Sequence, residues 1–397
     1  MKKTALKRLT GLLLIITCTT NVVNAQKNIN VVTSAVPFLR ISPDARSGGM
    51  GDAAIATSAD PNAVFWNRAK LPFAAAQGGL SLSYTPWFKD LGINDVFLAS
   101  LGGYYQLDED QTLSVGFRYF SLGNIQFTDV SGNLLQTFNP KEFGLDVGYS
   151  RKLSPKSGLS VALRYINSDL ANGTFGTGAS ATTYKAASAV AGDIAFYHHG
   201  LKESGEGFNW GISISNLGSP IKYTNDASQK DYLPANLGIG GAYTHVFDEN
   251  SKITIAMDMN KLLVPAPPVV SSPLTASDSA ALNKYHTQGV SSSWFNSFSG
   301  PNQLKLIDIS TGIEFWYQNQ FAFRAGYFYE NPDNGNRKYF TLGAGLKYNT
   351  FALDFSYLIP SGNGITRLPL SNTVRFTLGV DFGNGSGTDD SKSPSVE

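Results

Sequence analysis

Strict two-residue alternation, repeated in segments of about ten residues, constrains this chain more than any other feature. Leu113, Val115, Phe117 and Tyr119 alternate with Thr112, Ser114, Gly116 and Arg118, and Leu159, Val161, Leu163 and Tyr165 with Ser160, Ala162 and Arg164. Phe351, Leu353, Phe355 and Tyr357 alternate with Ala352, Asp354 and Ser356, and Val374, Phe376, Leu378 and Val380 with Arg375, Thr377, Gly379 and Asp381. Successive side chains of a strand point to opposite faces, so each segment has one face suited to lipid and one suited to water. Fourteen such segments can be marked out, at 78–86, 94–105, 111–121, 141–152, 158–169, 187–198, 207–216, 235–247, 251–262, 304–317, 320–330, 337–348, 350–359 and 372–382. The number is even and each segment can cross a bilayer at a tilt. The fold class expected is all-β: a 14-stranded antiparallel transmembrane β-barrel.

The connections test this independently, because such barrels have short periplasmic turns and long outer loops. After even strands they are short: 106–110, 153–157, 199–206, 248–250, 318–319 and Asn349 alone. After odd strands they are 87–93, 122–140, 170–186, 217–234, 263–303, 331–336 and 360–371, and all the long ones are among them. Even strands finish on Tyr105, Tyr149, Tyr197, Phe247, Tyr317, Tyr348 and Phe382, as a periplasmic aromatic girdle requires. A soluble sandwich or propeller also alternates, but has no reason to sort loop length by parity. No apolar run after residue 25 reaches the roughly 18–20 residues of a membrane helix.

The chain begins with Lys2, Lys3, Lys7 and Arg8, then the apolar run Leu12 to Ile16, then Val23, Asn24 and Ala25 before Gln26. Residues 1–25 thus read as a secretory signal peptide. Cys18 is the only cysteine, and Thr17 before it is a poor lipoprotein signal, so cleavage removes the only thiol and with it disulfide and thiol chemistry. The signal carries four basic and no acidic side chains, which leaves a net charge of about −3 and no nucleic-acid footprint. Residues 26–77 are too rich in small residues and proline for a strand and too hydrophobic for a linker. We read them as a plug segment folded into the barrel of residues 78–382, with 383–397 as a short disordered tail. Gly48, Gly49 and Gly51 would let the plug backbone approach another wall closely, and Asp60-Pro61 would start a short helix.

The order of Gly48, Gly49, Gly51 and Asp52, then an Ala-rich stretch with Asp60, then Asn67 to Leu71, resembles the plug of FadL-like outer-membrane barrels. The stretch from Ser34 to Asp52, which includes Arg40, is more particularly similar to the PorV family of the type IX secretion system, and Asp258 to Pro268 resembles that family again. The resemblance implies a non-enzymatic cell outer-membrane carrier. Its implied partners are the large translocon barrel, cargo proteins with a C-terminal signal domain, the cell-surface attachment (sortase) complex and outer-membrane lipid. A FadL-like transporter of small hydrophobic molecules is the alternative, and it needs an apolar pocket inside the barrel. A lipid-modifying enzyme, a third possibility raised by the family, needs a converging Ser/His/Asp cluster that the sequence does not offer.

The inward faces carry Arg118, Asp146, Arg164, Asp193, Asp258, Glu314, Arg324, Lys347, Asp354, Arg375 and Asp381. Interspersed signs suit ion pairs around a plug better than a selectivity ring. The run at Gly48 lacks the Gly-Lys-Ser/Thr of a phosphate loop. His198 and His199 point to opposite faces of one strand and cannot share a metal. No catalytic residue, metal or cofactor is expected. The loop 263–303 is the most promising functional feature, with stiff prolines at its start, a short helix at 276–285, and then Trp294, Phe295 and Phe298. Candidate partner-binding residues on the outer loops are Trp87, Phe88, Leu263, Val264, Pro265, Trp294, Phe295 and Phe298; the same aromatics could instead fold back over the barrel mouth.

Overall fold

The computed structural model describes residues 34–89, 92–128, 131–175, 181–225, 230–265, 267–268, 270–299, 303–332, 335–361 and 373–384. The expected signal peptide of residues 1–25, with Cys18, lies outside the described residues, as does the expected tail of 383–397 from residue 385 on; its first two residues, 383 and 384, instead continue the last strand.

Fourteen strands close into one antiparallel barrel in which each pairs with the next and the last returns to the first. They are β1 Ala76–Pro86, β2 Val96–Gln106, β3 Gln111–Leu122, β4 Lys141–Ser154, β5 Ser157–Asp169, β6 Ala187–His198 and β7 Gly207–Gly218. The second half comprises β8 Asn236–Asp248, β9 Ser251–Leu262, β10 Ile307–Tyr317, β11 Phe321–Tyr329, β12 Lys338–Tyr348, β13 Phe351–Pro360 and β14 Val374–Asn384. Closure of β14 on β1 pairs Gly78 with Phe382 and Leu82 with Leu378, so no edge strand is left to aggregate. Two short hairpins, Ile125–Thr128 with Leu134–Phe138 and Gly173–Phe175 with Thr182–Tyr184, extend the outer loops after β3 and β5.

The alternation of the sequence becomes the two faces of the wall. Leu82, Val147, Leu163, Met257, Phe323, Leu342 and Leu353 are exposed on the outside, where lipid replaces water. Arg118, Asp146, Arg164, Asp258, Glu314, Arg324 and Arg375 are buried on the inside. Tyr105, Phe247, Tyr317, Tyr348 and Phe382 lie exposed at the short-turn end, as an interfacial girdle requires. Tyr197 departs from the expected girdle. It is buried in the lumen, where its ring packs 5.7 Å from that of Phe73. At the β6/β7 pairing the register shifts between Gly192 and Ile194, and Asn216 adopts a left-handed φ of 60°. That bulge lets the Asn216 N–H donate to Asp193 Oδ1 at 2.8 Å.

Candidate functional site

Residues 34–75 run through the lumen as a chain of short helical turns. Helix α1, Ala45–Gly49, is capped by Asp44, whose carboxylate accepts from Ser47 N at 2.8 Å and from the Trp66 indole at 2.8 Å. A 3₁₀ turn at Pro61–Phe65 is capped in the same way by Asp60, and another at Arg68–Phe73 by Asn67. The Asn67 amide also donates to Ile55 O at 3.1 Å and to Phe196 O of β6 at 3.0 Å. Each turn is too short to persist alone, so the wall must hold it.

It does so first by close approach. A Cβ on Gly326 of β11 would lie 2.1 Å from Gly51 N, and one on Gly51, whose φ is +66°, would lie 2.6 Å from Tyr327 N. A Cβ on Gly49 would lie 3.1 Å from Gly343 Cα of β12, and one on Gly48 would meet the Arg375 guanidinium at 2.8 Å. Small residues on both partners let backbone meet backbone. Strand side chains then satisfy the exposed peptide groups. Asp258 Oδ2 accepts from Ala54 N at 2.6 Å and Ile55 N at 2.9 Å, and Thr341 Oγ1 accepts from Gly51 N at 2.9 Å.

Two buried ion clusters complete the attachment. On one side Glu314 of β10 takes Arg46 at 2.7 Å and Arg324 of β11 at 2.7 Å; Arg324 reaches Asp354 at 2.6 Å and Arg46 reaches Asp60 at 2.9 Å. On the other side Arg68 lies 3.2 Å from both Asp146 and Asp193, and those two carboxylates also hold Arg164. Paired charges tolerate burial that single ones would not. Lys70 is buried too, donating to Ala54 O at 2.7 Å and to Thr57 at 3.1 Å, and burial pushes its ammonium down to about 8. Arg46, Arg68 and Lys70 went unmarked in the sequence. A clue was available: the inward acids outnumber the inward cations, so cations must come from elsewhere.

Arg40 and Asp52 tie the segment to the outer end of the wall. Arg40 lies 3.0 Å from Asp308 and 3.8 Å from Glu330, while Asp52 accepts from the Tyr339 hydroxyl at 2.6 Å. Two cavities flank the segment. The periplasmic one, about 150 Å³, is lined by Arg46, Asp60, Lys347, Asp354 and Asp381 together with Tyr104 and Trp316. The outer one, about 110 Å³, lies among Arg40, Arg118, Asp308, Asn260 and Trp66. Charges line both. His199 stacks 5.1 Å from Phe73 inside the lumen, whereas His198 stacks 5.8 Å from Trp210, which is exposed on the outer face.

Above the barrel the loop after β9 forms a small platform. Helix α2, Ala276–Thr287, starts with a capping box between Thr275 and Asp278; helix α3, Val290–Asn296, follows it. Hydroxyls of Ser271 and Thr275 donate to Asp278 and hold its carboxyl well below the ordinary carboxylate range. Tyr232 of the β7–β8 loop anchors the platform, its hydroxyl donating to Tyr285 O at 2.8 Å and its ring meeting that of Tyr285 edge-on at 5.6 Å. Leu262 and Val264 pack into the same cluster.

The candidate outer residues therefore divide. Leu263, Val264 and Pro265 are buried and are not presented. Trp87 and Phe88 fold inward over the mouth onto the cluster of Phe38, Leu98 and Phe120, with Trp87 5.4 Å from the Phe120 ring. Apolar side chains at the mouth of a closed barrel gain more by covering the core than by facing water. Trp294 is half-buried; Phe295 is 75% exposed and Phe298 50%, the latter with Lys261 Nζ 5.3 Å above its ring.

A family model for the type IX secretion system protein PorV matches residues 24–269. Among solved structures, the Ralstonia pickettii toluene transporter TbuX is similar at a TM-score of 0.50 and 12% identity, over 89% of this chain and 99% of that one. The monoaromatic hydrocarbon channel CymD is similar at 0.50 and 11%, over 91% of this chain and 100% of that one. At these identities the two structures speak for the fold alone. No curated protein matches the sequence. A closed barrel of this kind, its outside apolar and its lumen charged, is an outer-membrane protein, and with the family model covering more than half of its length the chain belongs to the PorV family of type IX secretion system proteins.

Proposed function

We propose that the chain is a non-enzymatic carrier that binds the C-terminal signal domain of cargo proteins as they leave the large translocon barrel. It then passes them to the attachment (sortase) complex at the cell surface. The observation that carries this reading is the platform after β9, which presents Phe295 and Phe298 to the outside on a folded base. An aromatic side chain held in place and facing water is the kind of group that anchors a protein contact once desolvated. In this reading the segment 34–75 acts as a plug, bonded to the wall by charges and close backbone contact, and the barrel serves as a float in outer-membrane lipid.

The alternative is a transporter of small hydrophobic molecules, as TbuX is of toluene. Such a protein needs an apolar path, whereas Arg46, Asp60, Asp354 and Asp381 line one cavity here and Arg40, Arg118 and Asp308 the other. The favoured reading is tested by affinity capture of the tagged protein in mild detergent. Recovery of a very large barrel and of secreted proteins sharing a C-terminal domain supports the carrier. Recovery of the chain with bound small apolar molecules and no protein partner overturns it. Deleting residues 270–300 should leave the barrel heat-modifiable, hence folded, and stop capture of cargo; capture that survives the deletion removes the platform from the docking surface.

A further inference from the structure

Arg118 of β3 lines the outer cavity of about 110 Å³ and lacks a countercharge of its own. The residue is only 3% exposed. Its Nη1 donates to Leu39 O at 2.9 Å, and its guanidinium lies 5.2 Å from the centre of the Phe65 ring. Nε and Nη2 make no hydrogen bond among the described residues, yet they are not sealed in the wall, so their N–H groups open on the cavity. The β3/β4 register sets Arg118 opposite Gly144, with the inward Glu142 and Asp146 two residues to either side. Neither pairs with it: Asp146 is held by Arg68 and Arg164, and Glu142 accepts from the Ser168 hydroxyl at 2.6 Å. Nearer the mouth, Asp308 and Glu330 are held by Arg40 and Arg337. A buried guanidinium without an anion is costly, and N–H groups that meet only a cavity call for a negatively charged acceptor inside it. Ser213 of β7 and Ser310 of β10 turn hydroxyls to the same cavity that make no hydrogen bond among the described residues.

We propose that the outer cavity binds one small monovalent inorganic anion, a halide such as chloride, as the countercharge of Arg118. Nε and Nη2 would donate to it, and cavity water and the lining hydroxyls would complete its shell. Charge selects the class. Arg68 and Arg164 balance Asp146 and Asp193, and Arg40 and Arg337 balance Asp308 and Glu330, so Arg118 leaves one positive charge between two neutral clusters. A divalent anion would overshoot that charge and face Asp52 and Asp308, which also line the cavity, and a cation would meet the guanidinium. Size agrees. About 110 Å³ holds a few waters, and chloride is little larger than a water molecule, so it needs no wider entrance than they do. Leu39, Ile41, Phe65 and Trp66 of the inner segment line this cavity together with the wall, so the ion would hold the two together and lend the segment an anion-dependent stability. The site is separate from the platform after β9, so it stands or falls independently of cargo docking.

The test follows denaturant midpoints of the full-length mature protein in lipid vesicles across a chloride series at constant ionic strength, with the bulkier gluconate making up the balance. The midpoint of the natural chain should rise with chloride and level off as the site fills, and that of Arg118→Met should not follow chloride. Lys347→Met, which removes a lumen cation outside this cavity, should keep the rise, and heat-modifiability of each variant reports that the barrel has formed. Crystals grown in bromide give a readout that needs no variant: an anomalous peak should stand within hydrogen-bond reach of Arg118 Nε and Nη2. Absence of the rise, a rise that Arg118→Met shares, or absence of a peak beside Arg118 overturns the proposal and leaves Arg118 balanced through space by Glu142 and Asp146. A peak in the crystal without the rise in vesicles is binding at crystal concentration only, and overturns it as well.

Discussion

The inner segment and the outer platform are both excursions of the chain from the barrel wall, and they are held by opposite means. The inner segment is fixed by charge and by backbone contact: Arg46 and Arg68 reach wall carboxylates, and Gly49 and Gly51 lie against Gly343 and Gly326. The platform rests on a small apolar cluster of Tyr232, Leu262, Val264, Tyr285 and Leu306, and α2 buries none of its residues. Tyr232 touches both regions. Tyr232 accepts through its backbone carbonyl from Ala35 N at 2.9 Å and donates through its hydroxyl to Tyr285 O at 2.8 Å. Removing one member of a buried ion cluster leaves a charge stranded, whereas an exposed aromatic can be trimmed at little cost to the fold. The two regions should therefore separate cleanly under mutation, the inner one reporting on stability and the outer one on recognition.

The largest effect should come from Glu314→Ala, which leaves Arg46 and Arg324 facing each other without their shared carboxylate. A loss of about 3–5 kcal/mol is expected, read as a lower denaturant midpoint in lipid vesicles. Adding Arg46→Ala should restore part of it, because the two sites share one interaction. A loss below about 1 kcal/mol would mean that water already screens the cluster. Next comes Gly51→Val, since the +66° φ and the 2.6 Å approach to Tyr327 N leave no room for a side chain. Overpacking of this kind costs about 1–3 kcal/mol. The measurement is limited proteolysis: the inner segment should become cleavable while the barrel stays heat-modifiable. Continued protection would show that the wall can yield at Gly326.

These inner contacts also mark how far the sequence can be read. Alternation located all fourteen strands because a strand in a bilayer wall keeps its period of two over most of its length. It placed Arg164 and Asp146, and Glu314 and Arg324, on inward faces, and the register seats each pair directly opposite. It could not assign Arg46 or Arg68 to those acids, because the inner segment has no period and its docking depends on where small residues occur on both partners. The helix at 276–285 was legible from its local composition. The inward fold of Trp87 and Phe88 and the burial of Leu263 to Pro265 were not, because an apolar residue in an outer loop reads the same whether it covers the mouth or faces a partner. Tyr197 was legible and missed: it stands four residues after the inward Asp193 on the same strand, so the period of two already turns it into the lumen, where it meets Phe73.

Lys70 offers a smaller, pH-dependent handle on the inner region. With its ammonium pushed down to about 8 by burial, the folded protein releases a proton that the unfolded chain keeps until near 10.5. Unfolding in that window takes up a proton, so stability rises with pH between the two values, by at most about 1.4 kcal/mol per unit. Lys70→Met should flatten this part of the profile, measured as denaturant midpoints from pH 7 to 10. An unchanged slope would assign the titration to another group.

The double variant Phe295→Ala with Phe298→Ala should have the smallest effect on stability, within about 0.5 kcal/mol, because both rings already face water. Its effect on recognition should be large if the two rings anchor a partner. Central aromatic contacts are worth about 2 kcal/mol or more, which corresponds to roughly a thirtyfold weaker complex. The comparison that decides is between this variant and Glu314→Ala in the same capture experiment. If the platform alone recognises cargo, the double variant loses capture at an unchanged unfolding midpoint, while Glu314→Ala keeps capture wherever it remains folded. If both lose capture, the inner segment and the platform act as one unit, and Tyr232, bonded to Ala35 on one side and Tyr285 on the other, becomes the residue through which they are joined.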